Sequence, residues 1–141
     1  MSTREQCISA LETLILASPG VKSIFRQFTP IDELASTNLP CVILEDDGQE
    51  TITHKTGGLV NVAFDISVIG YVESQTALST AINTLDVAVK KAIANDITLG
   101  GVAIAAVPQP YNVRSGTANA PYGWFDRPIR VTYEGIYLNG F

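Results

Sequence analysis

The stretch from Leu59 to Gly101 constrains this chain more than any other. Val60, Val62, Phe64, Ile66 and Val68 alternate with Asn61, Ala63, Asp65 and Ser67. A period of two buries one face of a strand and leaves the other polar. The strand runs from Leu59 to Val72, and Gly70 near its end suits a bend or a bulge. Leu78, Ile82, Leu85, Val89 and Ile93 then recur at helical spacing, with Ala81, Ala88 and Ala92 on the same side. Ser74 caps this helix, which is expected from about Gln75 to Asn95. Lys90 and Lys91 in its last turns suit the helix dipole. Leu99-Gly100-Gly101 ends the unit with a tight reversal.

The flanking elements follow from the same patterns. Ser2-x-x-Glu5 matches a capping box, and Ile8, Leu11, Leu14 and Ile15 give a first helix one apolar face. Pro19-Gly20 stops it near Ala17. Ile24, Phe25 and Phe28 sit at helical spacing, so Val21 to Phe28 is read as one or two helical turns. Thr29-Pro30, with Asp32 and Glu33 behind it, is able to start another turn. Ser36 to Leu39 is a polar connection. Pro40 to Leu44 is a strand that opens at a proline, where no ladder donor is needed. Glu45 to Gly58 is polar, and Thr51, Ile52 and Thr53 make it a candidate protruding hairpin arm. A third strand is expected over Val102 to Val107. Pro108 to Pro128 holds four prolines and two glycines and reads as a long irregular loop. A fourth strand carries Ile129, Val131 and Tyr133, with Gly135 shifting its register before Ile136 and Leu138.

Two amphipathic helices and strands with one apolar face bury most simply in two layers. The expectation is a single α+β domain over residues 1–141, with arm 45–58 and loop 108–128 protruding. Its core is a four-stranded, mainly antiparallel sheet with both main helices on one face, in the order α-(short α)-β-β-α-β-β. The other sheet face, with Asn61, Asp65, Ser67, Arg130, Thr132 and Glu134, is solvated or meets a polar partner.

Composition removes several function classes. Apolar residues make up 46% of the 141, and charged residues 16%, so the chain is globular rather than a disordered tail. No apolar run reaches the roughly 18 residues needed to span a bilayer. The polar start, Met1 to Gln6, lacks the layout of a signal peptide, so the protein is expected to be made in a cytoplasm and to stay soluble. The formal net charge is −5, and the nine Lys and Arg residues are scattered. Tight DNA binding needs a basic face that releases phosphate counterions, so it is not expected.

Catalytic and ligand chemistry finds little to use. His54 is the only histidine, set in a polar stretch between strands, and reads as an exposed loop residue. Glu45, Asp46, Asp47 and Glu50 form an acidic cluster without the spacing of a calcium loop. It reads as a solvated turn, with weak cation binding as the alternative. Cys7 and Cys41 read as buried thiols. With one histidine they fall short of a structural zinc set. Gly57-Gly58 and Gly100-Gly101 are turn glycines, because no phosphate-loop pattern surrounds them. No catalytic residue, cofactor or metal is expected.

Interfaces are the better candidates. An irregular segment of about twenty residues is uncommon in a compact domain unless it is functional or ordered by a partner. Aromatics and Arg are enriched in interface cores. Tyr111, Arg114, Tyr122, Trp124, Phe125 and Arg127 fall in the 108–128 stretch. The competing reading is that Trp124 and Phe125 fold back to seal one end of the sheet. The arm, with His54 and Lys55, is the second candidate, since a hairpin offers its backbone to a neighbouring sheet edge.

In this order the chain resembles the tail terminator (tail completion) proteins of long-tailed bacteriophages. The features that carry the resemblance span nearly the whole chain. They are the helix ending in Ala17-Ser18-Pro19-Gly20-Val21, a short apolar segment, and Leu39-Pro40-Cys41-Val42-Ile43-Leu44 entering a strand. The long strand Val60 to Val68 follows, feeding a helix that ends in Asp96-Ile97-Thr98-Leu99-Gly100-Gly101-Val102. The last is Arg130-Val131-Thr132-Tyr133-Glu134-Gly135-Ile136-Tyr137. The resemblance implies a non-enzymatic virion subunit at the tail–neck junction, assembled in the host cytoplasm. It implies a homohexameric ring on the last ring of tail-tube protein, a neck or head-completion protein as second partner, and DNA passing through without specific binding. No membrane is involved. The alternatives are another neck protein, such as a head-closure component, or a small enzyme or ligand-binding α+β domain with a deep polar pocket.

Overall fold

A computed structural model describes residues 3–27, 36–46, 48–110, 113–118 and 121–136. In chain order its elements are α1 (Thr3–Leu16), β1 (Ser23–Phe25), β2 (Cys41–Asp46), β3 (Thr51–His54), β4 (Leu59–Glu73), α2 (Leu78–Ala94), β5 (Ala105–Pro108), β6 (Arg114–Ala118) and β7 (Tyr122–Ile136). The sheet is mixed and seven-stranded, in the order β1-β2-β4-β7-β5, with β3 also on β4 and β6 also on β7.

That corrects the expected four-stranded sheet and its element order, for three physical reasons. The two central strands, β4 and β7, are each 15 residues long and pair antiparallel from Leu59↔Ile136 to Glu73↔Tyr122. Strands this long outrun their neighbours, so each outer row is built from two pieces. On one side β2 pairs with residues 66–71 of β4 and β3 with residues 60–63. On the other, β5 pairs with residues 129–132 of β7 and β6 with residues 122–126. The seventh strand is β1, which runs parallel to β2 with Ser23 opposite Cys41. Residues 23–25 were expected to be helical. Three residues form too short a helix to stand alone, whereas the rim of β2 satisfies their backbone. The neighbouring Lys22 N–H also donates to the Pro40 carbonyl at 2.9 Å.

The segment expected to be an irregular loop over 108–128 is largely β6 and the first half of β7. Its glycines hold close approaches rather than turns. A Cβ on Gly123 would lie 2.7 Å from Ile82 Cδ1, so this glycine lets α2 lie down on β7. Gly70 does not mark a bulge either. It stays in register between Val42 and Phe125, and a Cβ there would sit 2.1 Å from Phe125 Cε1. Gly135 likewise keeps register, opposite Val60. The third strand starts at Ala105 rather than Val102. Leu99, Gly100 and Gly101 all take positive φ, and the Ala103 N–H still closes the turn onto the Thr98 carbonyl at 3.0 Å. The second helix starts at Leu78, because the Ser74 hydroxyl accepts the Ala77 N–H (3.0 Å) in a turn ahead of it. The Ser2 cap, the turn at Thr29-Pro30, Phe28 and Leu138 lie outside the described residues.

Both helices lie on one face of the sheet. Cys7, Ile8, Leu11 and Ile15 of α1 and Ile82, Leu85, Val89 and Ile93 of α2 share one core. The sheet contributes Val42 and Leu44, the even-numbered residues from Val60 to Val68, and Phe125, Ile129, Val131 and Tyr133. Each fully buried aliphatic side chain there stabilises the fold by about 2 kcal/mol. Tyr133 is fully buried, and its ring meets that of Phe64 edge to face at 6.0 Å.

The opposite face is polar over only part of its length. Asp65 and Arg130, directly opposite on β4 and β7, form a paired contact at 2.9 and 3.2 Å. Toward the β1 side a second apolar cluster forms from Leu39, Cys41, Ile43, Ile69 and Tyr71. Phe25, Tyr122 and Trp124 pack against it.

Candidate interaction surface

Outward from the core, most of the reactive side chains are spent on internal contacts. Arg127 points to the helix face, where Nε and Nη2 donate to Asp86 of α2 at 2.7 and 2.9 Å. Its Nη1 donates to the Gln109 carbonyl at 2.8 Å, so one guanidinium ties β7 to α2 and to the β5–β6 connection. Phe125 is 2% exposed and fills the space above Gly70. Of the two readings of the 108–128 stretch, Phe125 and Arg127 therefore take the inward one.

Arg4 at the start of α1 gathers the acidic turn. Its guanidinium pairs with Asp46 and with Glu50 (2.8 Å) and lies 4.1 Å from the centre of the Phe64 ring. Burial works against the Arg4 charge, and the two carboxylates outweigh it, so its pKa is raised. The contact bridges the break between β2 and β3, which falls beside Phe64 and Asp65 of β4, between the Asp46↔Ile66 and Thr51↔Ala63 pairs. The acidic pair is thus neutralised from within. Asp47 lies outside the described residues. No group of three His, Cys, Asp or Glu side chains converges among the described residues.

The two cysteines are buried and unbonded to each other. Burial pushes the Cys7 thiol up to about 11 and that of Cys41 up to about 12. Both stay protonated at neutral pH and are poor nucleophiles.

What remains at the surface is two strands. β3 exposes all four of its side chains, including the apolar Ile52. His54 ends it. Lys55 follows, with Nζ 2.7 Å from Glu134 of β7. At the opposite end of the β4–β7 pair lies β6. Its first residue, Arg114, reaches the buried Asp126 at 3.2 Å while 72% of its side chain stays exposed. Arg114, Asp126, Ser67 and Pro128 line an open cleft of about 410 Å³. Tyr122 and Trp124 are half-buried against the second apolar cluster, with the Trp124 ring beside Gly116 of β6. Tyr111 lies outside the described residues. The structure therefore groups Arg114, Tyr122 and Trp124 at one corner, and His54 and Lys55 at the other. Arg4, Asp86 and Asp126 were missed by sequence reasoning. An acidic residue bordering an apolar stripe, as Asp86 does between Leu85 and Val87, was the one available signal.

No helix among the described residues is long and apolar enough to cross a membrane. No protein-family model matches the chain, and no curated protein matches it. Among solved structures the chain is similar to one from the virion of a native gene transfer agent particle. The two are 12% identical, the match covers 95% of this chain and 92% of that one, and the TM-score is 0.43.

Proposed function

We propose that this protein is a structural virion subunit that caps the end of a phage tail tube as a homohexameric ring and joins the tail to the neck. The order of sequence features shared with tail terminator proteins supports this reading. One structural observation carries it further: β3 is a regular strand with all four side chains exposed. A strand that buries none of its side chains gains little stability from its own fold, and such strands serve partners. On this reading the work is done by surfaces and not by catalysis. DNA passes without being held, in keeping with a net charge of −5.

The test is to mix the purified protein with tail tubes that lack a terminator. Tube ends capped by one ring, with further tube growth arrested, are the expected result. Binding to filled heads while tube ends stay bare would overturn the terminator role in favour of a head-closure component. Tight binding to duplex DNA at physiological salt would also count against it.

A further inference from the structure

The outer rows of the sheet are protected unequally. β2 is covered by β1. β5 is covered by the preceding loop, where the Ala106 N–H donates to the Ile97 carbonyl at 2.7 Å, and it ends at Pro108. No strand among the described residues pairs with the outer edge of β3 or of β6. Natural edges are usually blunted by proline, inward charges or bulges. The Thr51-Ile52-Thr53-His54 edge has none of these within it, and Arg114-Ser115-Gly116-Thr117-Ala118 carries only the charge at its start.

The hydrogen-bond phase of β3 follows from its hairpin. The Lys55 N–H donates to the Leu59 carbonyl at 2.7 Å, so residues 55, 53 and 51 direct their backbone groups toward β4. Ile52, between them, directs its N–H and C=O outward.

Direction is what selects the occupant. β4 runs one way along the sheet, and β3 runs opposite to it on one border. β7 runs antiparallel to β4, and β6 antiparallel to β7, so on the other border β6 runs with β4. Place a second copy beside the first in the same orientation, helices on the same side. The β3 edge of one copy then meets the β6 edge of the next as antiparallel strands. No flip of either copy is needed. That is a heterologous contact, which closes into a ring when its rotation closes. The two edges lie at opposite ends of the sheet, so their pairing staggers the copies and tilts the strands against the ring axis, as in closed sheets.

We propose that the partner of the β3 edge is the β6 edge of a second copy of this chain, joined by main-chain hydrogen bonds into one sheet that continues around the assembly. The proposal rests on the ring reading above and adds its contact.

The experiment uses two full-length single variants, Ile52→Cys and Ser115→Cys, which place one thiol on each edge, both on the helix side of the sheet, since Ile52 lies opposite Val62 and Ser115 opposite Phe125. The native thiols are buried and stay out of the reaction. After mild oxidation, neither variant alone is expected to cross-link, and an equimolar mixture is expected to give covalent dimers. The double variant is expected to give a ladder of oligomers on a non-reducing gel. Light scattering of the same samples separates the two ideas. An oligomer that does not cross-link in the mixture, or one in which Ile52→Cys cross-links to itself, overturns the edge pairing and leaves the ring reading standing. A protein that stays monomeric alone and with tail tubes overturns both. As a second perturbation, Ile52→Pro removes only an outward N–H. It is expected to dissociate the oligomer at least tenfold more readily with the circular dichroism spectrum unchanged. An unchanged dissociation constant would overturn the proposal.

Discussion

Replacing Arg127 with Met removes a guanidinium that makes three hydrogen bonds and leaves the Asp86 carboxylate behind. The side chains are 12% and 15% exposed, so neither end of the pair is freely hydrated. Breaking a buried pair from one side costs about 3–5 kcal/mol, most of it the penalty of the stranded charge. Two features reduce that here. Asp86 keeps some solvent contact, and Lys90 one turn away, at 3.6 Å, remains as a weak partner. The expected loss is about 2–3 kcal/mol, or roughly 6–9 °C in the melting temperature for a domain of this size. Urea unfolding followed by circular dichroism measures it, with an unchanged denaturant slope showing that only stability has moved. The double variant Arg127→Met/Asp86→Leu removes the stranded charge as well and is expected to recover more than half of the loss. A single variant within about 0.5 kcal/mol of the parent would refute the reasoning, as would a double variant that merely adds a second loss.

Gly70→Val places a side chain inside the space of the Phe125 ring and is expected to cost about 3 kcal/mol or prevent folding, read from soluble yield and the same melt. Arg4→Met frees Asp46 and Glu50, and amide exchange in β3 is expected to speed several-fold while α2 is unaffected; equal β3 protection in parent and variant would show that Arg4 does not hold the arm. A chromogenic thiol reagent is expected to react with neither cysteine in the native protein and with both in denaturant. Alkaline pH is expected to destabilise the fold through the same groups. Burial raises both folded thiols above their ordinary value, to about 11 and about 12, so above about pH 9 the unfolded chain releases protons that the folded one keeps. Stability is full below pH 9 and falls as pH rises toward those values, and Cys7→Ala/Cys41→Ala flattens the slope.

What the sequence revealed and what it hid divide along the range of the interactions. Local periodicity marked β4 and α2, because Val60 to Val68 and Leu78 to Ile93 each bury one face and their side chains repeat accordingly. Single faces hide other elements. β1 carries Ile24 and Phe25, whose spacing fits a helix, and only the distant rim of β2 makes a strand of them. In β7 the alternation is masked before Ile129, since Gly123 and Arg127 take inward positions usually held by apolar residues. Gly123 is there because α2 comes too close for a side chain, and Arg127 because Asp86 awaits it. The aromatic content of 108–128 therefore marks the stretch as important, while its broken alternation mimics a loop. The surface followed the same rule. Exposed residues near a sequence turn, His54 and Lys55, were found from the polar arm around them. The bridge from Arg4 to Asp46 and Glu50 spans some forty positions along the chain and leaves no local trace.

The most direct test of the ring account is the mass of the protein in solution, by light scattering across concentration, alone and with terminator-free tail tubes. The account predicts the mass of six copies, reached either at high concentration or on the tube end. A protein that stays monomeric or dimeric throughout and never caps a tube contradicts it.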